Sequence, residues 1–124
     1  MNCKCLEYFV TKGQNENLLK LGFPKPITYY EDKFDNTFDT VPTYRYSVNE
    51  LMWLLSVDSY YRNILHFSVS SEYGSGKGNY KTHLTYLSTQ NVEETISVCH
   101  PELAQALYRT LIMLHQVNST EVIQ

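Results

Sequence analysis

Hydrophobic positions along this chain change period twice. Val48, Leu51, Met52 and Leu55 recur at the spacing of one helix face. From Tyr61 the period becomes two. Tyr61, Asn63, Leu65, Phe67, Val69, Ser71 and Tyr73 alternate with Arg62, Ile64, His66, Ser68, Ser70 and Glu72. After Gly74-Ser75-Gly76-Lys77-Gly78-Asn79, Tyr80, Thr82, Leu84 and Tyr86 take one face, and Lys81, His83, Thr85 and Leu87 the other. This pattern predicts a long β-hairpin from about Tyr61 to Ser88 with a glycine-rich turn. Matching the apolar faces pairs Tyr73 with Tyr80, Val69 with Leu84 and Phe67 with Tyr86, and sets Glu72 opposite Lys81. The helical period returns at Leu103, Leu107, Leu111 and Leu114. It predicts a closing helix from Pro101 to about Val117, with this stripe packed on the Phe67 and Val69 face. Residues 118–124 are expected to form a disordered tail.

Capping residues set the other boundaries. Thr11-Lys12-Gly13-Gln14 and Ser47-Val48-Asn49-Glu50 both have the hydroxyl-x-x-Gln/Glu spacing of a capping box. Tyr46 and Leu51 stand at hydrophobic-staple positions. The first helix is predicted from about Lys12 to Leu21 and the second from about Val48 to Val57. Gly22 can take the left-handed geometry that ends a helix, and Pro24 stops its continuation. Cys3 to Val10 reads as a short strand, and so does Ile27-Thr28-Tyr29-Tyr30, which is β-branched and aromatic. Glu31 to Thr40 reads as an acidic loop and Val41 to Tyr44 as extended chain. Asn91 to Cys99 reads as a turn followed by either one helical turn or a short strand. The expected architecture is a single α+β domain over residues 1–124. A small antiparallel sheet, the long hairpin plus one or two short strands, is covered on one face by about three helices.

Composition narrows the partners. The formal net charge is −3 and the ten Lys and Arg residues form no run. Duplex binding needs clustered cations to replace phosphate counterions, so nucleic acid is not the expected partner. No apolar stretch nears the roughly 20 residues of a membrane span. The opening Met1-Asn2-Cys3-Lys4-Cys5 lacks the pattern of a secretory signal, so no membrane partner and a cytoplasmic location are expected. Three cysteines make no disulfide framework.

Each chemical motif has a plain structural reading. Gly74-Ser75-Gly76-Lys77-Gly78 evokes a phosphate loop, but Gly78 stands where Ser or Thr is needed, and a strand follows where a helix is needed. It reads as a hairpin turn, with Lys77 left to touch an anion or a partner. Cys3, Cys5, Cys99 and His100 are zinc-ligand types, yet Cys-x-Cys on a strand lacks the turn that folds two sulfurs round a metal. Cys99 is expected to be buried. In the matched register His83 sits opposite Ser70, four residues from His66, and roughly 13 Å separates the two at about 3.3 Å per residue. They are then too far apart to share a metal. His100 reads as part of a helix start, and His115 as a cation in the last helical turn. Glu31, Asp32, Asp35 and Asp39 lack the calcium-loop pattern and read as a solvated loop. No cofactor and no metal are expected.

The order of short motifs resembles another group of proteins. Leu18-Leu19-Lys20-Leu21-Gly22-Phe23-x-x-Pro26, then Tyr29-Tyr30, then Pro42-Thr43-Tyr44 precede an amphipathic helix with Trp53-Leu54. With a Tyr-rich hairpin and a closing helix, this resembles small uncharacterised proteins of bacteriophages and prophage-like elements of anaerobic gut bacteria. The likeness runs from about Thr11 to Gln116. Departures are the Cys-x-Cys start and the region Asn91 to Pro101. The resemblance implies a small accessory protein of a mobile element and supplies no catalytic residue.

Eleven tyrosines are the strongest functional signal. Tyr and Trp bury large area at small entropy cost, so exposed clusters of them mark contact surfaces. Tyr29, Tyr30, Tyr44, Tyr46, Tyr60, Tyr61 and Trp53 are candidates, and so are Tyr80 and Tyr86 on the hairpin. Helices cover one face of a small sheet, so Tyr60, Tyr61, Tyr80 and Tyr86 are expected to expose rings. The expected function is a non-catalytic accessory or binding module. Its partner is a protein or a symmetric copy of the chain, met through Tyr60, Tyr61, Tyr80, Tyr86 and Lys77. The alternatives are a factor for single-stranded nucleic acid that stacks bases on sheet rings, and an enzyme whose site leaves no trace in sequence.

Overall fold

A computed structural model of the chain describes residues 8–30, 43–74 and 77–122. The order of elements is α1 (Lys12–Lys20), β1 (Tyr29–Tyr30), β2 (Thr43–Tyr44), α2 (Val48–Leu55), β3 (Ile64–Gly74), β4 (Lys77–Leu87), β5 (Glu93–His100) and α3 (Leu103–Val122). The fold is a small α+β fold with a three-stranded antiparallel sheet, order β3-β4-β5, and a separate two-stranded ladder of β1 with β2.

Both capping boxes form. Thr11 Oγ1 accepts the Gln14 N–H at 3.2 Å while Gln14 Oε1 accepts the Thr11 N–H at 3.0 Å. Ser47 and Glu50 repeat the exchange at the start of α2. At the end of α1, Gly22 has φ of 90°, the Gly22 N–H bonds Leu19 O, and the Phe23 N–H bonds Leu18 O. That pair of bonds satisfies two of the carbonyls a helix end leaves orphaned. The predicted strand Cys3–Val10 falls mostly outside the described residues; within them Phe9 bridges Ser47. The predicted acidic loop, Glu31 to Thr40, also lies outside them, as do Cys3 and Cys5.

The hairpin forms, but its register is shifted by two residues. Phe67 pairs with Leu84, Val69 with Thr82, Ser70 with Lys81, and Glu72 with Asn79. Val69 and Leu84 therefore share a face but are diagonal, and Glu72 is not opposite Lys81. The reason is the connection. Gly74 pairs with Lys77, so two residues link the strands, not the six-residue glycine-rich stretch. A shift of two keeps every side chain on its face, so face matching alone cannot distinguish the two registers.

A second difference lies at the base of β3. The ladder steps from Ile64↔Tyr86 to His66↔Thr85, which leaves Leu65 as an extra residue. This β-bulge reverses the alternation. Ile64 is buried in the core and Leu65 is exposed, the opposite of the unbroken pattern. Asn91 to Cys99 resolves to the strand alternative. Asn91 turns with φ of 59°, and β5 then pairs along β4 from Leu87↔Glu93 to Tyr80↔His100. Cys99 lies on the open face and is exposed, not buried.

The closing helix starts later and runs further than its apolar stripe predicts. Pro101 precedes it, and the Glu102 N–H donates to His100 Nδ1 at 3.0 Å. At the other end Asn118, expected in a disordered tail, lies inside the helix and accepts from Asn63 Nδ2 at 2.9 Å. His115 is accordingly mid-helix and not in a last turn. Leu107, Leu111 and Leu114 are buried with Leu84, Tyr86 and Ile96 of the sheet, and with Leu18, Leu51, Leu54 and Leu55 of the first two helices. α3 lies over β4 and β5, while Phe67 and Val69 of β3 border the same core. One polar chain crosses this apolar layer. The Val98 N–H donates to Thr82 Oγ1, which lies 2.6 Å from Thr110 Oγ1, and the Thr110 hydroxyl donates to Ala106 O. Each buried hydroxyl is satisfied, as a dry interface requires. Paired amides of Gln14 and Gln105, and Asn17 Nδ2 on the Tyr108 hydroxyl at 2.8 Å, fasten α1 to α3.

Candidate functional site: an apolar groove beside the second helix

The termination of α1 at Gly22 sends Pro24 to Thr28 back past α2. Two prolines hold this segment extended, and side chains bind it along its length. The Tyr46 hydroxyl donates to Pro24 O at 2.6 Å. The Ile27 N–H donates to Glu50 Oε2 at 3.0 Å, and the Thr28 hydroxyl donates to Glu50 Oε1. The Arg45 N–H donates to Thr28 O at 3.0 Å. Glu50, the capping-box partner of Ser47 at the start of α2, is thus also the clasp of the preceding segment.

Between segment and helix lies a groove of about 490 Å³. Tyr46 and Leu54 form its floor, and Pro24, Ile27 and Trp53 its apolar walls, with Lys25, Asn49 and Glu50 among its polar lining. Ile27 is 82% exposed and Trp53 51% exposed, a high value for such large apolar side chains. The Glu50 carboxylate already takes donors from Ile27, Thr28 and Ser47. Burial, then Glu50, then Tyr60 push the Tyr46 phenol up to about 12, so at neutral pH it is a fixed donor and not a base. The lining is mostly apolar, and its Thr28 hydroxyl, like that of Ser47, is taken up on the Glu50 carboxylate. Glu50→Ala should cost about 1–3 kcal/mol, because it removes half of a capping box and the acceptor of the part-buried Thr28 and Ser47 hydroxyls. Denaturant unfolding checks this. A cost within about 0.5 kcal/mol would mean that the clasp contributes nothing.

Behind the groove the aromatic residues form a second cluster. Phe23 lies 5.3 Å from Tyr60, 6.3 Å from Tyr61 and 5.3 Å from His115, between ring centres. Tyr60 and Tyr61 meet edge to face at 4.9 Å, a favourable quadrupole geometry. The Tyr61 hydroxyl sits 3.2 Å from His115 Nδ1. Burial, with Tyr60 adding to it, raises the Tyr61 phenol far above its ordinary value.

The tyrosines chosen from sequence do not gather into one exposed face. Tyr60 is 37% exposed, Tyr61 is half-buried, and Tyr80 is half-buried on the helix-covered side of β4. Tyr86 is 3% exposed and donates its hydroxyl to Glu94 Oε2 at 2.7 Å. Its ring is core, which corrects the expectation that it faces solvent. Lys77 begins β4 opposite Gly74, and its side chain lies outside the described set. Trp53 was named among the aromatic candidates. Ile27, Lys25 and the clasping role of Glu50 were not; the signal for them was Pro-x-Pro next to Ile27, just ahead of a capped helix.

The two-residue register shift changes the histidines as well. His83 pairs with Ser68 and His66 with Thr85. The rings are therefore diagonal neighbours with centres 6.4 Å apart, well inside the roughly 13 Å expected. Among the described residues no group of three or more His, Cys, Asp or Glu side chains is placed to hold a metal, and no helix is long and apolar enough to cross a membrane. Comparison with protein-family models, with curated proteins and with solved structures returns no match.

Proposed function

We propose that this chain is a non-catalytic binding module that takes a short apolar segment of a protein partner into the groove beside α2. The observation that carries this reading is the exposure of Ile27 and Trp53 over a floor fixed by the Tyr46 and Glu50 hydrogen bonds. Exposed large apolar groups on a rigid rim recover burial energy on binding without an ordering cost. The motif resemblance extends the proposal to an accessory role in a phage-like element. The single-stranded nucleic acid reading has less support. Among the described residues the open sheet face presents His66, Ser68, Ser70, His83, Thr95 and Ser97, and no Tyr, Phe or Trp ring on which bases stack.

Trp53 is the only tryptophan in the chain, so it reports on its own groove. Peptides selected from a displayed library against the full chain, with Trp53→Ala as the counter-target, should shift Trp53 emission on binding. In anisotropy titrations with labelled peptide they should lose about tenfold or more in affinity to Trp53→Ala and to Ile27→Ser, a loss of hot-spot size. A selection that yields no binder would sink the proposal. So would peptides that bind both variants as tightly as the parent.

A further inference from the structure

We propose that His66 and His83 form a two-histidine chelate for a divalent transition-metal ion on the open face of the sheet. The two residues sit on adjacent, hydrogen-bonded strands, β3 and β4, with ring centres 6.4 Å apart and planes inclined by 65°. Both are exposed. Among the described residues neither ring makes a hydrogen bond, so each neutral imidazole keeps a ring nitrogen lone pair for a ligand.

The geometry is close to what a shared ion needs. One nitrogen from each ring at about 2.0–2.1 Å from a tetrahedral ion puts the ring centres roughly 5 Å apart. The rings must close by roughly 1 Å. Their opposite neighbours, Thr85 and Ser68, are small, and exposed side chains reach this by rotation within allowed wells. Imidazole suits zinc, nickel and copper(II), and water completes the coordination. Lys81, two residues along from His83 and opposite Ser70, is a like charge on the same face, which an anionic ligand such as chloride on the ion would offset. Because the ligands come from two strands, the ion would staple β3 to β4 and bind the folded chain in preference to the unfolded one.

The test is zinc titration of the full, tag-free chain near pH 7.5 in a background with Cys3, Cys5 and Cys99 changed to serine. Calorimetry should show one zinc per chain at micromolar affinity. Imidazole nitrogen resonances of His66 and His83, and of no other histidine, should shift. His66→Ala and His83→Ala should each lose about tenfold or more in affinity, and the double variant little beyond the stronger single one. The melting temperature should rise with zinc in the parent and stay level in both variants. Since both positions are exposed, the variants should keep the parent's melting temperature without zinc. Any one of three results would overturn the proposal: no saturable binding, binding that both variants retain, or binding that disappears once the cysteines are replaced.

Discussion

Leu107→Ala is expected to lower the stability of the fold by about 2–5 kcal/mol. Leu107 is fully buried, as are Leu111 and Leu114 in the same row of α3. It belongs to the one cluster in which the sheet residues Leu84 and Ile96 meet Leu51 and Leu55 of α2. Truncation removes apolar burial and leaves a cavity, because strands held by a full ladder and helices held by Gln14, Gln105 and Tyr108 cannot collapse into it. Against a total of roughly 5–15 kcal/mol for a domain of this size, the loss is severe. Met113, on the same helix and 42% exposed, is the control: Met113→Ala should stay within about 0.5 kcal/mol. Denaturant unfolding of both variants decides it. A cost below about 0.5 kcal/mol at Leu107 would show that the helix does not sit on the sheet through this row.

Stability should also fall steeply between about pH 10 and pH 12. The Tyr46 phenol is pushed up to about 12 when folded, whereas an unfolded tyrosine titrates near 10. Between those values the unfolded chain has lost a proton that the folded chain retains. Stability is then fully present below about pH 10 and is lost as pH rises through the folded value. For Tyr46 alone the loss reaches at most about 2.7 kcal/mol, two pH units at 1.36 kcal/mol each. Tyr61, raised by burial and by Tyr60, adds in the same direction. Unfolding curves taken from pH 8 to 11.5 should show the decline, and it should flatten in the Tyr46→Phe, Tyr61→Phe double variant. An undiminished decline in that variant would assign the effect to other groups.

Much of the fold was legible because local signals act over a few residues. Thr11 with Gln14, Ser47 with Glu50, and Gly22 are complete instructions for helix ends, and each is realised. The sorting of Phe67, Val69, Leu84 and Tyr86 to one face was legible because side chains alternate along a strand. Register was not, because a slip of two preserves that sorting and the turn alone decides it. The bulge at Leu65 was hidden for a related reason. Leucine fits either side of an alternation, so nothing marks the residue that breaks it. The extension of α3 past Val117 relies on Asn118 meeting Asn63, 55 residues away, which no local pattern announces. The groove was half legible. Trp53 stood out as an exposed-aromatic candidate, but the clasp between Glu50 and Ile27 joins residues 23 apart. The tyrosine signal misled because tyrosine serves cores as well as surfaces. Tyr46 and Tyr86 bury their rings and satisfy their hydroxyls on Pro24 O and Glu94.

The bulge at Leu65 also bears on how the molecule behaves in a crowd of its own copies. Among the described residues β3 and β5 are the two borders of the sheet, and a straight unpaired strand is a template on which other chains can assemble. β3 carries its extra residue near the start, so an incoming strand cannot run in step across Leu65 and is confined to the stretch from His66 onward. β5 opens instead with two exposed acids, Glu93 and Glu94, whose charges repel the same stretch of an identical chain. The border at β3 therefore shortens the stretch open to fibril-like growth by geometry, which salt does not change, and the border at β5 opposes it by charge, which salt weakens.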